Sequence, residues 1–394
     1  MKILTLSTYP HENPTHGGQH RLFNIVSNYV ECGHSVQSIG VLGSTEYGNV
    51  KGYLPYPKIE LLKKYIENIL LMDDWAIGQL FEKDDNSFNL LSEEIDLIPD
   101  VIHVEQPWLF GFARRYANVH VEKNIKIIYG SQNIENTMKF DIVKKYIGIE
   151  KAIKAREKVL SCELFAIRNA DGICCVSQSD LDWTASRTDR KCVLAQNGVR
   201  ARKTSFESIE RASKLVGNRK FAVYCASAHP PNISGFFSIF ENGIGCIAPN
   251  ESIVIVGGAG AHIAGDSRFS RTAGLNRACV IAGTVSDEDL QSLIEISHTI
   301  ILPITHGGGT NLKTAEAIWS GKHIVATRTA FRGFDQFLEA TGIRISDSPV
   351  DFVRNLRDSM LASPNAVPKN EFETRREVLW SKTLFGLNNL VSTS

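Results

Sequence analysis

The chain has 394 residues, 43% hydrophobic and 22% charged, with 43 Lys and Arg set against 43 Asp and Glu. This is ordinary globular usage over a length that suggests two domains of about 150–200 residues each, and it excludes a mainly disordered chain. The balanced charge gives no electrostatic case for a nucleic-acid partner, and no run approaches the roughly 18–20 uninterrupted apolar residues of a spanning helix.

Residues 1–7 are too soon followed by Pro10, Glu12 and His16 to act as a secretory signal. The eight cysteines form no Cys-x-x-Cys and lie mostly inside apolar runs, as expected for reduced, buried thiols in a cytoplasmic protein. Lys2–Ser7 alternates and reads as a strand. A loop follows, then Leu22, Phe23, Val26, Tyr29 and Val30 recur at helical spacing, and Gly33 suits the stop. Residues 35–42 read as the next strand, completing a strand–loop–helix–strand unit of a parallel sheet covered by helices.

The pattern repeats. Strands are expected at 100–104, 125–129, 172–177 and 193–195, with helical stretches at 109–116 and 140–170. Residues 201–219 are polar and read as a linker. A second series then alternates strands at 221–226, 252–256, 280–282, 299–304 and 323–327 with helices at 233–240, 287–296 and 310–320. Helical segments at 350–362 and 371–390 close the chain. The fold class is therefore α/β, with two doubly wound, Rossmann-like domains and a cleft between them. Residues 1–200 form the first domain, 201–219 the linker, 220–370 the second domain, and 371–394 a final helix. In open parallel sheets ligands bind beyond the carboxyl ends of the strands.

The loop after 299–304 runs His306-Gly307-Gly308-Gly309-Thr310-Asn311-Leu312-Lys313 into a helix. The glycines allow close backbone approach, Thr310 is a plausible N-cap, and the amides opening the helix make an anion site beside Lys313. Glu316, one turn on, places a carboxylate within reach of a pair of sugar hydroxyls. An ordinary strained turn with a solvated Lys and Glu remains the alternative.

Gly307 to Lys313, followed by Glu316-Ala317, Gly321-Lys322 and Val325-Ala326-Thr327, closely resembles the donor-site signature of family 4 glycosyltransferases of the GT-B fold. The resemblance extends over nearly the whole chain. Gly17-Gly18-x-x-Arg21 with Gly33-His34-x-Val36, Ser131-Gln132-Asn133-Ile134-Glu135, Asp171-Gly172-Ile173 and Gln196-Asn197-Gly198-Val199 resemble motifs of its first domain. Ser227-x-His229-Pro230-Pro231-Asn232 is similar to the opening of the second domain, and Trp380-Ser381-Lys382-Thr383-Leu384 to a terminal helix crossing back to the first.

The resemblance implies an acceptor-side first domain, a nucleotide-sugar-binding second domain and transfer with retention. Glu316 would bond the ribose hydroxyls, and the amides of Asn311 and Leu312 would hold the diphosphate. Gly17 and Gly18, with Arg21, would approach that diphosphate from the opposite domain. Gly257 and Gly258, and the turn at Thr284 and Val285, would line the base pocket. Many members carry Glu where this chain has Gly308, so sugar contacts fall to Gly308, Gly309 or His306. An Arg and Lys found in many members are replaced here by the stretch holding Ser227, His229 and Asn232, which with Lys313 would neutralise the diphosphate. The family often has a His where this chain has Glu105, two residues after His103. Glu105 would orient or deprotonate an acceptor hydroxyl, or else both are structural residues at a strand end.

The implied donor is a nucleoside-diphosphate sugar, and the acceptor a glycan, a lipid-linked sugar or a small molecule. No metal or other cofactor is expected, because amide dipoles and a lysine can stabilise the leaving diphosphate. A nucleotide-sugar epimerase or phosphorylase, a catalytically silent binding or scaffold protein, and a nicotinamide-dependent dehydrogenase are the rival readings. The last lacks the third glycine after Gly258 and Gly260. The basic run 139–158 reads as a solvated helix face, with a peripheral contact to anionic lipid at the inner face of a membrane as the alternative.

Overall fold

The computed structural model describes residues 1–66, 69–201, 203–217, 219–306, 310–346 and 348–392. The first sheet runs β3-β2-β1-β4-β5-β6-β7, with β1 Lys2–Ser7, β2 Ser35–Val41, β3 Tyr53–Leu54, β4 Val101–Glu105, β5 Lys126–Ser131, β6 Gly172–Cys175 and β7 Cys192–Leu194. The second runs β10-β9-β8-β11-β12-β13, with β8 Lys220–Cys225, β9 Glu251–Val256, β10 Cys279–Gly283, β11 Thr299–Leu302, β12 His323–Thr327 and β13 Ile343–Ser346. Neighbouring strands pair in parallel in both, and helices flank each sheet. No described helix is long and apolar enough to cross a membrane.

Alternation along buried strands sorts side chains to the two faces. In the second sheet Phe221, Val223, Val254, Val256, Ile300 and Leu302 join one buried cluster. Their immediate neighbours Ala222, Tyr224, Ile253, Ile255 and Ile301 join another on the opposite face. The central residues of these strands are apolar on both sides because both faces are covered.

Packing divides the chain into two compact units, Met1–Gln196 with the segment from Thr383 onward, and Asn197–Lys382. The polar stretch read as a linker instead carries a helix, Phe206–Val216. Ser205 caps it: its Oγ accepts from Ser208 N at 3.2 Å, and Ser208 Oγ accepts from Ser205 N at 3.1 Å. Ser292 Oγ, on the helix Asp287–Ile296, donates to Ser208 Oγ at 2.7 Å. The capping box has Ser at its third helical position where Glu or Gln is the usual signal, so the helix start was easy to overlook.

The helix Lys369–Arg375 belongs to the second unit, because buried Arg375 donates to Ile318 O at 3.0 Å and Thr341 O at 2.6 Å. The helix Phe385–Ser392 belongs to the first, where Lys126 Nζ donates to Leu390 O at 2.6 Å and Asn28 Nδ2 donates to Asn388 Oδ1 at 2.6 Å. Three helices, Ile59–Ile66, Asp73–Lys83 and Asp85–Glu93, fill the region between β3 and β4 that the hydrophobic pattern left unassigned. The single helical stretch expected at 140–170 is two helices, Glu135–Tyr146 and Ile149–Asn169, broken at Gly148 with φ of 124°.

Candidate functional site

Because the second sheet is parallel, the ends of β8, β9, β10 and β11 share one edge. The expected donor residues stand along it: Ser227, His229 and Asn232 after β8, Gly257 and Gly258 after β9, Thr284 and Val285 after β10, and His306 and Thr310–Lys313 after β11. Gly257 N donates to Gly283 O at 2.7 Å, tying the second of these turns to the third. Gly308 and Gly309, with Gly307, lie outside the described residues.

The helix Leu312–Ser320 is capped by Asn311 rather than Thr310, since Asn311 Oδ1 accepts from Lys313 N at 3.2 Å. Thr310 is held differently, its carbonyl accepting from Asn197 Nδ2 at 3.5 Å. Thr310 Oγ1 and Asn311 Nδ2 are buried without a hydrogen-bond partner among the described residues. Buried polar atoms are almost always satisfied, so these two have hydrogen-bonding capacity to offer at the helix start.

Lys313 joins this helix start to the turn after β8. Its Nζ donates to Asn232 Oδ1 at 3.3 Å. Asn232 Nδ2 in turn donates to Ser227 O at 2.9 Å and Ser227 Oγ at 3.2 Å, and Tyr224 OH donates to Asn232 O at 2.8 Å. Burial lowers the Lys313 pKa, while Cys225 and Glu316 favour the charged form. The structure therefore brings Ser227, Asn232, Asn311 and Lys313 together. A cation bonded to a neutral amide, beside helix amides, can receive an anion. His229 opens the helix Pro230–Phe240 and is exposed, as are Thr284 and His306.

In the first unit His103 and Glu105 end β4 and are buried, and so is Arg21 on the helix Gly17–Glu31. Glu105 Oε2 accepts from Arg21 Nε at 3.3 Å and from Gln132 Nε2, and Glu105 Oε1 faces His103 Nε2 at 2.9 Å. Arg21 Nη1 donates to Ala195 O at 2.7 Å, and His103 Nδ1 meets Tyr29 OH at 2.6 Å. A Cβ on Gly130, the β5 partner of Glu105, would stand 2.3 Å from Glu105 Oε1, so this strand position has room for no side chain.

Burial alone raises the Glu105 pKa, but Arg21, His103 and Gln132 outweigh it and hold the carboxyl at about 2. Burial likewise opposes a charged His103, but Cys174 and Glu105 outweigh it and lift the imidazole to about 9. Arg21, expected among the donor contacts, turns its guanidinium inward. His103, Glu105 and Cys174 place three metal-ligand atoms within 4.8 Å of one another. Arg21 lies against both Glu105 and Cys174 Sγ, the latter at 3.9 Å, and its charge opposes a metal cation there. Asp-x-Asp occurs at Asp180–Asp182 and Asp287–Asp289, in both cases within a helix. Ser177 Oγ accepts from Asp180 N, and Arg211 Nε donates to Asp289 Oδ1.

Gln132 and Tyr9, which carried no role in the sequence reading, lead from this buried network to a cavity of about 440 Å³ in the same unit. Gly18, His16, Tyr47, Asp73, Asp74, Gln106 and Lys139 also line it. Lys139, one of the basic run, is not solvated: its Nζ donates to Leu71 O at 2.9 Å and to Asp74 Oδ1 at 2.9 Å. A Cβ added at Gly17 would meet nothing within 4 Å, whereas at Gly18 it would press on Tyr9 and on Gln132 Oε1.

Behind the cavity wall Glu135 is buried beside Glu163, with Oε2 unpartnered among the described residues. Burial, then Glu163 and Asp74, push its pKa up to about 8. A carboxyl whose folded pKa lies above its unfolded value stabilises below about 4.5, and that contribution is lost as pH rises through about 8. Glu135→Gln should therefore melt at a higher temperature than the parent at pH 8.5 and near the parent temperature at pH 4. Melts followed by circular dichroism at both pH values check this, and an equal shift at both would show that the ionisation of Glu135 is not the cause.

A comparison with protein-family models finds no match, and a comparison with curated proteins finds none. Among solved structures the chain is similar to a sucrose-phosphate synthase from Thermosynechococcus elongatus, with a TM-score of 0.68 at 12% identity over 99% of this chain and 98% of that one. It is similar to an alpha,alpha-trehalose-phosphate synthase (UDP-forming) from Burkholderia xenovorans in complex with glucose-6-phosphate, with a TM-score of 0.58 at 15% identity over 100% of both chains. It is also similar to Anabaena HepE in complex with UDP-glucose, with a TM-score of 0.57 at 13% identity over 99% of this chain and 97% of that one. These likenesses give the fold, which is GT-B.

Proposed function

We propose that the chain is a glycosyltransferase that moves a sugar from a nucleoside-diphosphate sugar to an acceptor hydroxyl on a glycan, a lipid-linked sugar or a small molecule. The observation that carries this reading is the joining of Lys313, through Asn232, to Ser227 at the start of the helix Leu312–Ser320. Charge builds on the departing diphosphate, and fixed amide dipoles with one lysine answer it without reorganising. The amides of Asn311 and Leu312 would hold the diphosphate and Glu316 the ribose. The turns at Gly257, Gly258, Thr284 and Val285 would line the base pocket. The neighbours solved with UDP-glucose and with glucose-6-phosphate support a sugar donor and a sugar acceptor in this fold. The sequence resemblance supports retention and membership of family 4; independence from metal rests on the amide dipoles and Lys313 as stabilisers of the leaving diphosphate, and activity in excess EDTA tests it.

A ligand that binds only the folded chain raises its stability, by about 2.7 kcal/mol at a hundred times its dissociation constant. Thermal melts with a panel of UDP-, GDP-, ADP- and TDP-sugars should show at least one upward shift of several degrees, lost in Glu316→Ala. No shift with any member would overturn the reading. Binding without release of nucleoside diphosphate under any acceptor would favour the silent binding protein suggested by Gly308 and the missing Arg and Lys. A new sugar nucleotide formed without acceptor would reveal an epimerase.

A further inference from the structure

The cavity of the first unit carries chemistry of its own. Gln132 Nε2 donates both of its hydrogens inward, one to Glu105 Oε2 and one to Tyr9 OH. A carboxylate only accepts hydrogen bonds, so it fixes the amide with its nitrogen buried and leaves Oε1 beside Gly18 in the cavity wall. Gln106 Nε2 also turns away from the cavity, donating to buried Glu135 Oε1 at 3.4 Å. Asp73 and Asp74 add two carboxylates. The lining therefore offers hydrogen-bond acceptors where a hydroxyl-bearing ligand has donors.

The cations do not redress this. Lys139 is the cavity's lysine, and its ammonium is committed to Asp74 and to Leu71 O. Burial lowers the His16 pKa and keeps that ring neutral near pH 7. One carboxylate of the Asp73 and Asp74 pair is thus unmatched by a cation among the lining residues, and an entering phosphate would meet that charge. Tyr9, His16 and Tyr47 form an aromatic wall, with ring centroids 5.3 and 6.3 Å apart in succession, suited to the apolar face of a sugar ring.

We propose that this cavity binds the uncharged hydroxyl face of a saccharide acceptor and discriminates against the phosphorylated form of the same sugar. The word acceptor rests on the transferase reading above; the preference for the uncharged form rests on the cavity alone.

The test is saturation-transfer NMR on the full chain with glucose, galactose and mannose, each run against its 6-phosphate. At least one neutral sugar should bind tenfold or more tightly than its phosphate, and Tyr47→Ala at the cavity rim should weaken it by fivefold or more. Asp73→Asn, which keeps an acceptor for Tyr56 OH, should raise binding of the phosphate several-fold. Equal or tighter binding of the phosphates, no binding of any neutral sugar, or binding that survives Tyr47→Ala overturns the proposal. The two readings fail separately. Neutral sugars that bind here while no nucleotide-sugar shifts the melt would sink the transferase assignment and leave the cavity preference standing. A nucleotide-sugar that shifts the melt while the saccharides ignore the cavity would do the reverse.

Discussion

Replacing Lys313 by alanine is expected to cut turnover by about 10²–10³, the usual loss when one preorganised donor to a developing anion is removed, or about 2.7–4 kcal/mol of transition-state stabilisation. The fold should survive. The Lys313 ammonium meets buried Asn232 Oδ1 at 3.3 Å, and deleting it costs one acceptor its partner, about 1–3 kcal/mol and less than the stability of a domain. Donor affinity should fall less than turnover, because the diphosphate gains its extra charge only as the glycosidic bond breaks. Glu316→Ala should act in the opposite sense, weakening donor binding more than turnover, because a ribose contact is the same in ground and transition states. Nucleoside diphosphate release measured over a donor concentration series separates the two. Unchanged kcat in Lys313→Ala and unchanged KM in Glu316→Ala together would remove the helix start from the reaction.

Much of this helix start was legible because its signals are local. A strand, a glycine run, a polar cap and a lysine follow one another within a few residues, and the cap falls one position later than expected. Thr and Asn both cap helices well; the choice fell to Asn311 because its side chain reaches Lys313 N. The buried network of the first unit is of another kind. Arg21 and Glu105 are separated by 84 residues and Arg21 and Ala195 by 174, so no spacing rule links them. Glu105 was singled out as a candidate base, but that both of its oxygens are engaged became visible only once β1, β4, β5 and β6 lay side by side. The helix Asp73–Lys83 escaped for a different reason. It buries Trp75, Ala76, Ile77, Gly78, Leu80 and Phe81, a nearly continuous set rather than a stripe, and so leaves no clean helical period to read.

Arg21→Met is expected to cost up to about 3–5 kcal/mol, the usual range for breaking a buried ion pair, with His103 left as the remaining partner of Glu105. Methionine fills much of the arginine stem's volume, so the loss would come from the weakened pairing of the Glu105 carboxylate more than from a cavity. The pH dependence distinguishes these causes. In the parent chain Glu105 is held at about 2, below its unfolded value of 4.5. Its contribution to stability is therefore present above about 4.5 and lost as pH falls through about 2. Without Arg21 the largest influence lowering the Glu105 pKa is gone, while His103 and Gln132 remain, so the carboxyl moves up from about 2 toward its unfolded value. The variant should then lose less than the parent as the solution is acidified, because only the parent holds Glu105 far below its unfolded value. Urea unfolding at pH 7 and pH 4 should show a gap between the two proteins that narrows at the lower pH. Adding Glu105→Gln to Arg21→Met should recover part of the stability at pH 7 and flatten the pH response. A gap of the same size at both pH values, unrelieved by the second substitution, would mean that Arg21 acts through packing and its bond to Ala195 O, and that the charge pair at the end of β4 contributes little.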